Sequence, residues 1–182
     1  ALSAIIPQLD TFQPNLLQQL LIEVKTNIPQ EPVRAQMLIE IAPRLDTSEP
    51  WLLEQALDIT KHIKKESDRV EVLKAITSRL NVSQPELLQQ VLDITKHIKE
   101  AGCAEVLCAI APQLHTSQPQ LLKQVLEEVA TKIQENPIRA QVLSAVAPQL
   151  DTSQPQLLQK VLEIATNIKI PGNIQNEVTR AQ

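Results

Sequence analysis

His62 and His97 occupy the same heptapeptide, Asp-Ile-Thr-Lys-His-Ile-Lys, which the chain writes twice, at 58–64 and 93–99. Two imidazoles invite a metal-site reading, but equivalent positions of stacked helix pairs lie roughly 10 Å apart. A zinc ion needs its ligands within about 2.0–2.1 Å. No third ligand stands at a suitable spacing, so no metal is expected, and both histidines are read as candidate partner contacts. Cys103 and Cys108 are five residues apart and do not share a helix face. They form neither a disulfide framework nor a metal pattern, and reduced cytosolic thiols are the simplest reading. Hydrolytic chemistry needs a nucleophile, a base and an orienting group in contact, and no such set emerges. With only two glycines there is no Gly-rich phosphate loop either. Neither an enzyme nor a cofactor is expected.

Two charged columns recur. Arg34, Arg69, Arg139 and Arg180 stand near one helix start, and Asp58, Asp93, Glu127 and Glu163 follow each opening proline by eight residues. They read as an anion-binding stripe or as a ladder of inter-repeat ion pairs that fixes stacking, and the ladder is favoured. Lys61, Lys64, Lys65, Lys96 and Lys99 make a locally basic helix end, which either complements the helix dipole or meets an acidic partner. Trp51 is the largest departure, in a column that otherwise holds Asn15, Glu86, Gln120 and Gln156. Those neighbours point to solvent, and a solvent-facing Trp is a candidate partner anchor; the competing reading folds it over a neighbouring loop.

The elements that position these residues are repeats. "TSQPQLLQKVLEIATNI" from Thr152 has counterparts from Thr11, Thr47, Val82 and Thr116, and the opening prolines Pro14, Pro50, Pro85, Pro119 and Pro155 step by 36, 35, 34 and 36. A second phrase, "IRAQVLSAVAPQL" from Ile138, has counterparts from Val33, Arg69 and Cys103. Internal periods of this length mark arrays. Both phrases place apolar residues three and four apart, as at Leu157, Leu158, Val161, Leu162, Ala165 and Ile168, so both read as helices. Proline in the first turn costs no hydrogen bond. Ser83 with Glu86, Ser117 with Gln120 and Ser153 with Gln156 have capping-box spacing. Pro7, Pro43, Pro112 and Pro148 predict an early end or kink in the second helix; Ser78 replaces that proline once, predicting a straighter helix.

The 182 residues are 43% hydrophobic, almost wholly aliphatic, with net charge −4. That composition folds, and the acidic balance opposes a general nucleic-acid binder. No apolar run approaches the roughly 20 residues that cross a bilayer, so a cytoplasmic protein without a membrane partner is expected. The predicted architecture is one all-α domain over 1–182. It is an α-solenoid of about five stacked antiparallel helix pairs with a right-handed superhelical sense. Its units are roughly 1–32, 33–68, 69–102, 103–137 and 138–173, with a partial unit at 174–182.

The stretches "EPVRAQMLIEI" and "NPIRAQVLSAV" resemble HEAT repeats, in which a Pro-x-Arg start opens one helix of each pair. The fuller unit, "RAQVLSAVAPQL" with "LLQKVLEIATNI", is similar to α-helical arrays attached to bacterial, especially cyanobacterial, STAND-type ATPases and conflict-system proteins. The resemblance covers essentially the whole chain, and Cys103 interrupts its arginine column. It implies that arginines clamp neighbouring repeats and that the array is a recognition arm that binds through its concave surface. Joining the last residues, "VTRAQ", to the first, "ALSAIIPQL", regenerates the second phrase, so the chain reads as a fragment of a longer array. Head-to-tail self-association is the alternative. The expected function is a non-enzymatic protein- or peptide-binding scaffold with contacts at Trp51, His62 and His97. A nucleic-acid-binding array using the Arg and Lys columns, and a structural spacer, are the rival readings.

Overall fold

The computed structural model describes residues 14–45, 48–81, 83–115 and 118–167. The expectations for Pro7, for the Ser117 cap, for Arg180 and for joined chain ends fall on or depend on positions outside these segments. Among the described residues every regular element is helical and no strand occurs. The described residues form nine α-helices that alternate between two types. The first type comprises α1 (Pro14–Asn27), α3 (Pro50–Lys61), α5 (Pro85–Thr95), α7 (Pro119–Lys132) and α9 (Pro155–Thr166). The second comprises α2 (Glu31–Ile41), α4 (Glu66–Thr77), α6 (Glu100–Ile110) and α8 (Asn136–Val146).

Proline opens every helix of the first type at N1, where its missing N–H has no intrahelical partner to lose. The expected capping boxes do not form at Ser83 or Ser153. The N-cap positions are Gln84 and Gln154, and neither supplies a side-chain cap. Instead the serine N–H groups donate backwards, from Ser83 to Asn81 Oδ1 at 2.9 Å and from Ser153 to Asp151 Oδ1 at 3.3 Å. A short polar side chain two residues earlier competes successfully for the serine backbone, as in an Asx turn. That donation draws the Asp151 carboxyl below its ordinary range.

Helices of the second type end at the inner proline. The i→i−4 ladder stops one residue before it, and the chain tightens into 3₁₀ turns at Ala42–Arg44, Ala111–Gln113 and Ala147–Gln149. Ser78 does not remove this ending. It extends α4 by one residue, and Arg79 and Leu80 then donate to Ile76 and Thr77 in the same tightened pattern.

Each second-type helix packs on the preceding first-type helix and on its own equivalents before and after it, giving the rows α2–α4–α6–α8 and α1–α3–α5–α7–α9. The aliphatic stripes meet between the rows in one continuous cluster that includes Leu17, Leu53, Leu73, Leu88, Leu107 and Leu122, all essentially inaccessible. Burying each such side chain contributes about 1.5–3 kcal/mol. Thr60 and Thr95 enter this core because their hydroxyls donate to the carbonyls of Ala56 and Val91, at 2.7 and 2.8 Å.

Candidate interaction surface

The arginine column works on backbone carbonyls. Arg34 donates through Nε and Nη2 to the Ile28 carbonyl at 3.2 and 3.0 Å, and Arg139 makes the same fork on Ile133 at 2.9 and 2.6 Å. Arg69 donates to Ile63 at 3.3 Å and reaches the next repeat at the His97 carbonyl, 3.2 Å away. Each guanidinium thus holds the carbonyl that its preceding helix leaves open at its C-terminus. This overturns the expected Arg–acid ladder. Its acidic column pairs with lysines: Asp58 with Lys25 of the previous repeat at 2.8 Å, Asp93 with Lys96 at 2.6 Å, Glu127 with Lys123 at 3.9 Å and Glu163 with Lys160 at 3.7 Å. The lysine hydrogen bonds hold Asp58 and Asp93 below the usual carboxylate range and raise Lys96. Two pairs cross repeats, Lys25–Asp58 and Lys74–Glu105 (2.8 Å); Glu105 and then Glu71 push the Lys74 ammonium upward.

The isoleucines of this column, three of them clamped by arginine, expose a more regular register than the prolines. Ile28, Ile63, Ile98 and Ile133 are spaced uniformly by 35 residues, because α1 and α7 each carry an extra residue before them. In this register the column of His62 and His97 continues as Asn27 and Lys132. Where Cys103 replaces arginine, Lys132 makes a different contact with the end of α5. Its ammonium reaches back one repeat to the Thr95 carbonyl at 3.3 Å and to the Lys96 carbonyl.

A carboxylate ladder that the sequence reading missed links successive repeats. Glu31 accepts from the backbone N–H of Lys64 at 3.1 Å and of Lys65 at 3.4 Å. Glu66 accepts from Lys99 at 3.2 Å, and Glu100 from Gln134 and from Glu135, the latter at 2.6 Å. Each glutamate stands in the first turn of a second-type helix, where negative charge suits the dipole, and ties that helix to the loop one repeat later.

His62 and His97 are both exposed at the ends of α3 and α5. His62 Nδ1 lies 2.8 Å from the Asp58 carbonyl. Among the described residues no group of three or more His, Cys, Asp or Glu is placed to hold a metal ion. The basic helix ends are partly neutralised, since Lys65 pairs with Asp68 at 2.7 Å and Lys96 with Asp93. Cys103 is fully buried, and burial raises its thiol from 9.0 to about 11. Cys108 is half-buried and shifted upward for the same reason. Among the described residues no helix is long and apolar enough to cross a membrane.

Trp51 lies closer to the folded-over reading than to the solvent-facing one. It is half-buried, lies against the core, and donates its indole N–H to the Glu49 carboxylate. Its ring adjoins two open grooves between α3 and α5. One is lined by Pro50, Glu54, Glu86, Leu87 and Gln90, the other by Gln55, Asp58 and Lys61. A matching groove lies between α7 and α9, lined by Pro119, Gln120, Lys123, Pro155, Gln156 and Leu157. The column directly after the opening proline, which varies from repeat to repeat, therefore lines grooves along the first-type row. Comparison with family models, curated proteins and solved structures finds no match to this chain.

Proposed function

We propose that this chain is a right-handed α-solenoid of HEAT-like repeats acting as a non-enzymatic, protein- or peptide-binding scaffold in the cytoplasm, as the recognition arm of a larger bacterial protein. One observation carries the reading. The column directly after each opening proline changes from Asn15 to Trp51, Glu86, Gln120 and Gln156, and the last four of these line recurring grooves while the inward positions stay aliphatic. In an array held together by neighbour contacts, such variation is free to encode a ligand.

Other features agree with a scaffold. Arg34, Arg69 and Arg139 are engaged on carbonyls, so the arginines a nucleic-acid-binding array would extend toward phosphates are committed to the fold. The resemblance to arrays on STAND-type ATPases adds the expectation of a sensing role. Trp51 is the strongest anchor candidate, because half-buried tryptophans beside a groove offer a rigid apolar surface. The exposed His62 and His97 are secondary contacts.

The test is selection of short random peptides displayed on phage against the full chain, followed by titration. Enriched peptides that bind with micromolar or better affinity, and that lose affinity with Trp51→Gln, support the scaffold. Absence of any enriched sequence removes it.

A further inference from the structure

We infer that the groove between the N-terminal halves of α3 and α5 is a subsite for the cationic side chain of a basic peptide, with Trp51 as its floor and Glu54 and Glu86 as its flanks. The inference rests on the peptide-scaffold reading and names the chemistry of its occupant.

The groove measures about 330 Å³ and has apolar walls from Pro50, Trp51 and Leu87. Glu54 and Glu86 line it and are exposed, and among the described residues no lysine or arginine does. Glu49 adds a third carboxylate at the edge, where it holds the Trp51 indole N–H and so fixes the ring. Two helix N-termini face the same space, each worth about half a positive charge. Three carboxylates outweigh that, so the groove keeps a net negative field. An indole ring beside a cluster of carboxylates is an arrangement that attracts an ammonium or guanidinium group.

The second groove beside Trp51 is less suited, because Lys61 lines it and its Asp58 is already paired with Lys25. The groove between α7 and α9 gives an internal comparison. At the same repeat positions Gln120 replaces Trp51, Lys123 replaces Glu54 and Gln156 replaces Glu86. The apolar walls persist while the sign of the charge reverses. Packing needs the walls, and it does not account for the collection of an aromatic ring and carboxylates in one groove alone.

The chain has a single tryptophan and no tyrosine, so its indole emission reports this groove directly. The probes are blocked peptides that alternate serine with arginine, glutamine or glutamate. The arginine peptide is expected to change Trp51 emission saturably and to bind about tenfold more tightly than the glutamine peptide, with the glutamate peptide weaker still. Rising salt should weaken the arginine peptide. The E54Q/E86Q double variant should lose about tenfold in affinity for it at an unchanged denaturation midpoint. E71Q/E105Q, which removes the same charge from α4 and α6, should lose none. Equal binding of the arginine and glutamine peptides, an absent emission change, or indifference to E54Q/E86Q overturns the subsite. Display-selected peptides that bind without basic residues and without disturbing Trp51 emission would overturn it while leaving the scaffold reading in place.

Discussion

The guanidinium of Arg139 grips the carbonyl of Ile133, six residues behind it, with Nε at 2.9 Å and Nη2 at 2.6 Å. The side chain is 9% exposed, so the fork closes the end of α7 from inside the fold. Arginine is suited to this because its planar fork presents two donors at once. Replacing it with methionine keeps the stem and leaves the Ile133 carbonyl without this donor. Arg139→Met should cost about 2 kcal/mol of unfolding free energy, and Arg139→Lys a good part of that. Urea denaturation checks both, and an unchanged midpoint in Arg139→Met would refute the clamp.

In the repeat where Cys103 stands at the arginine position, Lys132 ties that repeat to the end of α5. Unlike Arg34 and Arg139 it reaches across a repeat, to Thr95 and Lys96. Lys132→Met should therefore lose about 1 kcal/mol, whereas Lys123→Met, whose ion pair with Glu127 spans 3.9 Å at an exposed site, should lose almost nothing. If both variants unfold at the same denaturant concentration, Lys132 has no clamping role.

The two-row helical pattern was legible in the sequence because aliphatic spacing and proline punctuation are local signals. Leu157, Leu158 and Val161 announce their helix whatever surrounds them, and Pro43, Pro112 and Pro148 each end theirs where chain sterics demand. The roles of the polar columns were not legible, because they depend on which backbone groups are left open in three dimensions. Arg34 and Asp58 look like ladder partners in a list of charges, yet the arginine goes to an orphan carbonyl and the aspartate to Lys25. Glu31, Glu66 and Glu100 recur at 35 and 34 residues and could have been noticed, but a carboxylate in a first helical turn already has a local explanation. The capping boxes failed for a related reason: Asn81 and Asp151 offered the Ser83 and Ser153 amides a closer acceptor. The column of Trp51 points to solvent while its size favours folding over a loop, and it is the Glu49 carboxylate two residues earlier that holds the indole N–H.

The carboxylate ladder predicts a local effect more than a global one. Glu100 holds the amides of Gln134 and Glu135 from one repeat away. Glu100→Ala should lower stability by about 1 kcal/mol. It should also speed hydrogen exchange at Gln134 and Glu135 well beyond the change at Lys99, which is held by Glu66. Uniform acceleration at all these amides would mean that Glu100 acts only through overall stability.

Gly102 offers a test in which two contributions oppose each other. It lies in α6, where alanine gains about 1 kcal/mol in helix propensity. A Cβ there would stand 2.7 Å from Val70 Cγ2 and 2.8 Å from Ile98 Cγ2, both on buried branched side chains with little room to retreat. Overpacking of that kind costs about 1–3 kcal/mol, so Gly102→Ala should be destabilising by about 1 kcal/mol despite its better propensity. A stabilised variant would show that α4 and α6 can separate without loss.

Cys103 gives the stability curve an alkaline limb. Burial raises its thiol from 9.0 to about 11 in the folded chain. The folded state therefore keeps a proton that the unfolded state releases above about pH 9. The contribution is fully present below that pH and declines as pH rises toward 11, reaching about 2–3 kcal/mol of lost stability at the upper end. Lysines titrate in the same window, so the informative quantity is the difference between the native chain and Cys103→Val, which keeps the volume and removes the proton. The difference between the two denaturation midpoints should be constant up to about pH 9, and above it the native chain should fall relative to Cys103→Val. At neutral pH the same burial should leave Cys103 unreactive toward an aromatic disulfide reagent until the chain unfolds, while the half-buried Cys108 reacts first. Rapid modification of both thiols in the native state would show that the Cys103 environment opens far more readily than the packing around it implies.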